Sequence, residues 1–287
     1  LEPRLVAWND TPLPLDDRCH GAIVTNWHLP SCQPILDELL RARIPTSVWS
    51  ATDEPLPGKR YQDVRGMWFH NLAHGREAGR TMSEFVSSLP HRKVAWVSPF
   101  HGSVWSTNRL EGFKSSLTPG IEMVDAVHDW NSEWDIQVKV AWAKETLDRF
   151  DLEGLDPLND LDALRRPFVE AMTRQRCLEI FGPALEQALA SGATLWVAGS
   201  DLISRWCLHW LALRGMEVPR DLALVSFDDT RDASRLNLSS LRFDVQSMAR
   251  GMIRQVLSSK QDHKLVTRYT GFVVERGSTG REERSIP

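Results

Sequence analysis

Three apolar runs constrain this chain more than anything else in it: KVAWVSPF (93–100), TLWVAGSD (194–201) and LALVSFDDT (222–230). Each is nearly continuous in apolar residues and then breaks into short polar ones. A strand with one wet face alternates; a strand covered on both faces does not. Such strands sit inside parallel sheets, whose crossovers are usually helices. LISRWCLHWLALRG (202–215) follows the second run directly and reads as that crossover helix. Leu202, Trp206, Trp210 and Leu213 would lie on one face, and Gly215 would stop it.

The same alternation runs through the rest of the chain. RLVAW (4–8), GAIVTN (21–26), IPTSVWS (44–50), RGMWFH (65–70) and IEMVDAVHD (121–129) read as strands, and TGFVVERGST (270–279) as a terminal strand. Residues 31–43 carry Ile35, Leu36, Leu39 and Leu40 at helical spacing, with Ser31 as the cap. Residues 74–88 place Ala78, Met82, Phe85 and Val86 on one face, and 105–117 form another helix. A helix is expected near 136–150. Residues 167–190 are expected to be helical, with Pro183 forcing a break or restart near Phe181–Pro183. Val245, Met248, Met252, Ile253 and Val256 mark one more amphipathic helix. The fold class is α/β.

Composition removes several function classes. The chain has 287 residues, enough for about two domains of ~150. Its net charge of −4 excludes an overall basic chain built to coat nucleic acid or an anionic membrane. No apolar stretch approaches ~18 residues, so no membrane partner is expected. LEPRLVAWND lacks the charged and apolar regions of a signal peptide. Cys19, Cys32, Cys177 and Cys207 match no zinc spacing, and four unpaired thiols point to the cytoplasm. No phosphate-cradling glycine motif, zinc-protease motif or nucleophile elbow occurs. His101, His128 and Asp129 come from separate strands without ligand spacing, so no metal and no cofactor is expected. Asp228 and Asp229 are adjacent on a strand end and point opposite ways, which suits no acid–base pair. Lys59 and Arg60 read as a solvated loop. The chain is not expected to be an enzyme. Twelve tryptophans against two tyrosines exceed what a core asks for and leave some for a binding site.

From Arg92 onward the motifs keep a fixed order: HRKVAWVSPF, STNRLEGFKSSL, LWVAGSDLISRWCLHWLALRGMEVPRDLALVSFDDT, LSSLRFDVQSMARGMIRQVL and VVERGSTG. This string resembles the effector-binding domain of the LacI/GalR family of transcription regulators. The resemblance spans roughly residues 18–280 and is sharpest over 92–113 and 195–280. It is weak over 130–190, where this chain carries a longer insert. It implies a two-lobe, periplasmic-binding-protein-like fold with parallel sheets flanked by helices. One lobe would comprise 1–69 and 243–268, the other 70–242 and 269–280, with 281–287 a tail. Three crossing segments, near His70, Ser240–Phe243 and Leu265–Thr270, would join the lobes, with the ligand in the cleft. The family core begins with a central strand and helix that have no counterpart here, so residues upstream of Leu1 are expected. The resemblance also implies a homodimer, a small-molecule effector such as a sugar, and operator DNA bound through a separate domain. A solute-binding protein of a sugar transporter has the same architecture, and a core that only dimerises is a further alternative.

In open parallel sheets ligands bind beyond the carboxyl ends of the strands. Those tips carry Trp8-Asn9-Asp10, Thr25-Asn26-Trp27, Trp49-Ser50, Pro99-Phe100-His101, His128-Asp129-Trp130, Gly199-Ser200-Asp201 and Phe227-Asp228-Asp229. Indoles can cover the C–H faces of a sugar while carboxylates and guanidinium groups bind its hydroxyl rim. Arg109, in TNRLEGF, corresponds by resemblance to the family's ligand-gripping arginine, and Asp228 to its cleft aspartate. Ser200 replaces the usual asparagine. Ser50 stands where some relatives have an acidic ligand residue, and Phe243 where some have a polar one. Trp130 and Trp105 are further candidates. Asp201 is expected to cap the helix that follows it, and Trp96, Trp196, Trp206 and Trp210 to be core.

Overall fold

The computed structural model describes residues 13, 15, 19–25, 32–50, 64–128, 178–258 and 266–280. In chain order the elements begin with β1 (Ala22–Val24), α1 (Cys32–Arg41), β2 (Thr46–Ser50), β3 (Met67–Leu72), α2 (Arg76–Ser87) and β4 (Lys93–Ser98). Next come α3 (Val104–Ser116), β5 (Glu122–Val127), α4 (residues 178–190), β6 (Leu195–Ala198) and α5 (Asp201–Ala212). The chain continues through β7 (Ala223–Phe227), α6 (Arg231–Arg235), β8 (Ser239–Arg242), α7 (Val245–Leu257), β9 (Val266–Tyr269) and β10 (Phe272–Val274). It forms two compact units: Leu1–Gly75 with Phe243–Gly271, and Arg76–Arg242 with Phe272–Pro287.

In the first unit four parallel strands lie in the order β1-β2-β3-β9. Register aligns Val24, Val48, Phe69 and Val266 in one row across the sheet. Side chains alternate between sheet faces. Val24, Val48 and Phe69 pack with Ile35, Leu36 and Leu39 of α1. On the other face Ser47 donates from Oγ to the Met252 carbonyl of α7 at 3.0 Å, and Leu72 clusters with Met248 and Met252. The sheet is therefore covered on both faces, which is why β3 (MWFHNL) is buried along its whole length.

The second unit has six strands in the order β10-β8-β7-β6-β4-β5, parallel except for the β10–β8 pair. Ala95, Trp196 and Leu224 face α4 and α5, where Phe181, Leu185, Trp206, Cys207 and Trp210 complete one core. Trp96 points the other way, into Phe113 of α3 at 5.7 Å and Phe227 at 5.8 Å. Trp96, Trp196, Trp206 and Trp210 are thus all core. Fully burying a large side chain of this kind contributes roughly 2–3 kcal/mol. On that second face α2 and α3 approach backbone to backbone. A Cβ at Gly79 would lie 2.0 Å from the Arg109 carbonyl, and one at Gly112 would lie 2.0 Å from that of Arg76. Glycine is required at both.

Several expectations need correcting. Residues 178–190 stay helical on both sides of Pro183; Phe181, Leu185 and Ala188, all buried, hold the segment against the sheet. In α5 the buried face is Ile203, Trp206, Cys207, Trp210 and Leu211, while Leu202 and Leu213 are 47% and 67% exposed. In α7 only Met248 and Met252 are fully covered, and Val245 and Ile253 are exposed. Of 270–279 only Phe272–Val274 is strand, and Gly277–Thr279 is a 3₁₀ turn. The readings at 4–8, Ser31, Lys59, Arg60, 136–150 and 281–287 lie outside the described residues.

Candidate functional site

The carboxyl ends of β4, β6 and β7 are neighbours because those strands are paired and parallel. Phe100, Gly199-Ser200 and Asp228 follow them. α3, entered two residues after the His101–Gly102 turn, buries Ser106, Arg109, Leu110 and Phe113. A 2.8 Å hydrogen bond between the Ser98 and Ser106 hydroxyls ties the end of β4 to the first turns of α3. Arg109 is thereby carried inward, where it is only 4% exposed.

A buried guanidinium needs partners, because removing its charge from water is costly. Arg109 donates from Nη1 to the Gly199 carbonyl at 2.7 Å and from Nη2 to Asp228 Oδ1 at 3.2 Å. Its central carbon also lies 5.1 Å from the Trp105 ring centre and 4.9 Å from that of Phe227, within cation–π range. Trp105 in turn packs against Phe100 at 6.3 Å, and Phe100 against Trp206 at 5.9 Å. So the structure brings Arg109, Asp228 and Trp105 together.

Asp228 keeps 35% of its side chain exposed. Burial pushes its carboxyl above the usual carboxylate range; the charge of Arg109 opposes that rise and the nearby charge of Asp201 adds to it. Its backbone has φ +100°, and that of Asp229 has φ +45°. Asp tolerates positive φ better than most residues, yet unusual backbone of this kind costs of order 1–3 kcal/mol per residue and persists where surroundings impose it. Asp228 and Asp229 do diverge: Asp229 turns away to ion-pair with Arg276 at 2.6 Å and with Arg242. The arrangement presents a half-exposed carboxylate acceptor beside an aromatic wall. That chemistry suits a hydroxyl donor carried on an apolar frame.

The remaining predicted residues fall elsewhere. Ser200 is the N-cap of α5; its hydroxyl accepts from the Ile203 N–H at 3.4 Å. The cap is therefore Ser200 and not Asp201, whose carboxylate is taken up by Thr230 and Ser240. Phe243 belongs to the first unit, packed with Leu72, Met248 and Met252 and edge-on to His74 at 6.4 Å. Ser50 closes β2, with its side chain outside the described residues, as are Trp130, Asp129, Asn26, Trp27 and the 8–10 segment. Among the described residues no three His, Cys, Asp or Glu side chains group to hold a metal ion, and no helix is long and apolar enough to cross a membrane. Sequence reasoning missed Ser240, Asp229 and Arg276 as supports of the Asp228 turn. Ser240, Arg276 and Asp229 lie in the ordered motifs LSSLRFD, VVERGSTG and LALVSFDDT, but nothing local within those motifs pairs them.

Comparison with known proteins agrees with this architecture. An uncharacterised HTH-type transcriptional regulator from Streptomyces limosus is 31% identical over 135 residues, covering 44% of this chain. The chain spans only 38% of that relative's length. The Escherichia coli transcriptional repressor ascG superposes with a TM-score of 0.56 at 17% identity, over 91% of this chain and 78% of its own. A LacI family transcriptional regulator from Enterococcus faecalis V583, solved with bound ribose, gives 0.52 at 15% identity, over 90% and 77%. The likeness to these two structures is one of fold. Residues 84–279 match the model of the periplasmic binding protein-like domain, and the chain belongs to that family.

Proposed function

We propose that this chain is the effector-sensing domain of a bacterial, cytoplasmic transcriptional regulator of LacI type, binding a sugar or related small polyol and acting by binding rather than catalysis. Operator DNA would be bound by a separate domain, and the working form would be a homodimer. The regulator relative supports transcription control over solute transport. The ribose-bound neighbour supports a sugar as ligand class.

The observation that carries the reading is the buried Arg109 pinned to Gly199 and Asp228 beside Trp105. Arg109 fixes the Asp228 carboxylate, which accepts a ligand hydroxyl, while Trp105 offers a flat apolar face. Ser200, Trp130, Phe243 and Ser50 are proposed as further contacts. A ligand regulates only if it binds one conformation better than another. A coupling of ~1–3 kcal/mol would change operator affinity ~5–150-fold.

Calorimetry of the chain against a panel of pentoses, hexoses and disaccharides tests this. One sugar should bind, and Asp228→Asn and Trp105→Ala should each weaken it about tenfold or more, equivalent to ~1.4 kcal/mol. Unchanged affinity in both variants would remove these residues from the site.

A further inference from the structure

We infer that Asp201 is a positioning residue for Asp228: it holds the turn after β7 so that the Asp228 carboxylate meets Arg109. This rests on the reading of Asp228 as a ligand contact.

The residue following an N-cap ordinarily offers its carboxylate to the first turn of its own helix. Asp201, 1% exposed at the start of α5, instead reaches across to the β7 turn. Its Oδ2 accepts the Thr230 N–H at 2.6 Å and its Oδ1 accepts the Ser240 hydroxyl at 2.7 Å. An ionised carboxylate only accepts, so Ser240 must donate to it. The lone pairs of Ser240 Oγ are then left for the Asp229 N–H, which donates to it at 3.0 Å. The Asp228 N–H donates to the Leu241 carbonyl at 2.9 Å. Three consecutive backbone N–H groups, 228 to 230, are thus each fixed, two of them through Asp201.

Below them the Asp229 carboxylate, 1% exposed, is held by Arg276 and Arg242, and Arg276 also donates to the Leu238 carbonyl at 2.7 Å. The turn is clamped on both sides while two successive non-glycine residues sit at positive φ. Left free, such residues return to negative φ. Releasing the Asp201 side of the clamp would therefore swing the Asp228 carboxylate away from Arg109.

A double-mutant cycle on the ligand-free chain tests this without any sugar. Arg109→Met, Asp228→Asn and their combination are unfolded in urea in the native, Ser240→Ala and Asp201→Asn backgrounds. The native background should show coupling of about fivefold or more in the unfolding constant. In the two altered backgrounds it should fall below about twofold. Coupling that persists in a background whose overall stability has dropped would make Asp201 a merely structural group and overturn the inference, as would no coupling in the native chain. Ser240→Ala deletes one hydroxyl and Asp201→Asn keeps the side-chain shape, so either background that folds decides. Failure of every sugar to bind would sink the functional reading and leave this result standing.

Discussion

The two units place their buried titratable groups differently. Among the described residues, the strands of the first unit bury one, His70, in the middle of β3. It sits 3.1 Å from the Tyr269 hydroxyl and stacks on that ring at 5.8 Å. The strands of the second unit bury none. There the charges of the candidate site, Arg109, Asp201, Asp228 and Asp229, lie on the helices α3 and α5 and just past the end of β7. A charge inside a sheet can only be satisfied by its fixed neighbours. Charges at strand tips can be shared with something arriving from solvent. The first arrangement serves the interior of its own unit; the second is fit for recognition.

The contrast depends on the second unit's helices being held closely enough to carry Arg109 inward. Gly112→Val should break this most severely. Its side chain would meet the Arg76 backbone at 2.0 Å, and backbone atoms cannot step aside as side chains do. We expect a loss on the order of 3 kcal/mol, at the upper end for overpacking, read as a drop in urea midpoint. A stability within about 0.5 kcal/mol of native would mean that the α2–α3 approach is looser than described.

The first unit's arrangement is tested by pH. Burial lowers the His70 pKa to about 4, a fall that the nearby Gln255 side chain partly opposes. An unfolded histidine titrates near 6.5. Between these values the unfolded chain binds the proton more readily, so stability is complete above about pH 6.5 and is lost as pH falls toward 4. The loss is at most about 3 kcal/mol at 1.36 kcal/mol per pH unit. Subtracting the profile of His70→Gln from that of the native chain isolates it. Parallel profiles would show that His70 is not buried as a neutral base.

Arg109→Ala comes next. It strips the Gly199 carbonyl and Asp228 of their donor and leaves Trp105 and Phe227 without the cation between them. Breaking a fully buried pair costs 3–5 kcal/mol, but Asp228 is a third exposed and water can replace part of what it loses. About 2 kcal/mol is expected by urea unfolding. A cost near zero would class the pair with ordinary surface pairs such as Arg220–Asp221.

How much of this could be read in advance follows from what each signal depends on. β4, β6 and β7 were legible because burial on both faces forces unbroken apolar runs. Arg109 and Asp228 were singled out by motif order, not by periodicity. The facing of α5 was misread because one residue is a 100° rotation: Leu202 and Ile203 are equally apolar, and only the sheet beneath selects Ile203. Pro183 was expected to interrupt its helix, a local preference that the buried Phe181 and Leu185 outweigh. The clamp on Asp228 joins residues 201, 229, 240 and 276, and no local pattern encodes contacts so far apart.

The smallest expected effect bears on the neighbouring pair that sequence confused. Ser200 and Asp201 are both favoured N-caps, so local preference could not separate them. Competition does. The Asp201 carboxylate has Thr230 and Ser240 to satisfy, whereas the Ser200 hydroxyl has only the Ile203 N–H among its described partners. Ser200→Ala should therefore cost about 1 kcal/mol, and Ser200→Asn, which caps as well, should restore it. If Ser200 also touches the effector, Ser200→Ala should weaken sugar binding beyond any loss of folded protein, and Ser200→Asn should change affinity without changing stability. Equal affinity across all three chains would confine Ser200 to the cap and leave Asp228 and Trp105, with Arg109 behind them, as the contacts proposed for the second unit.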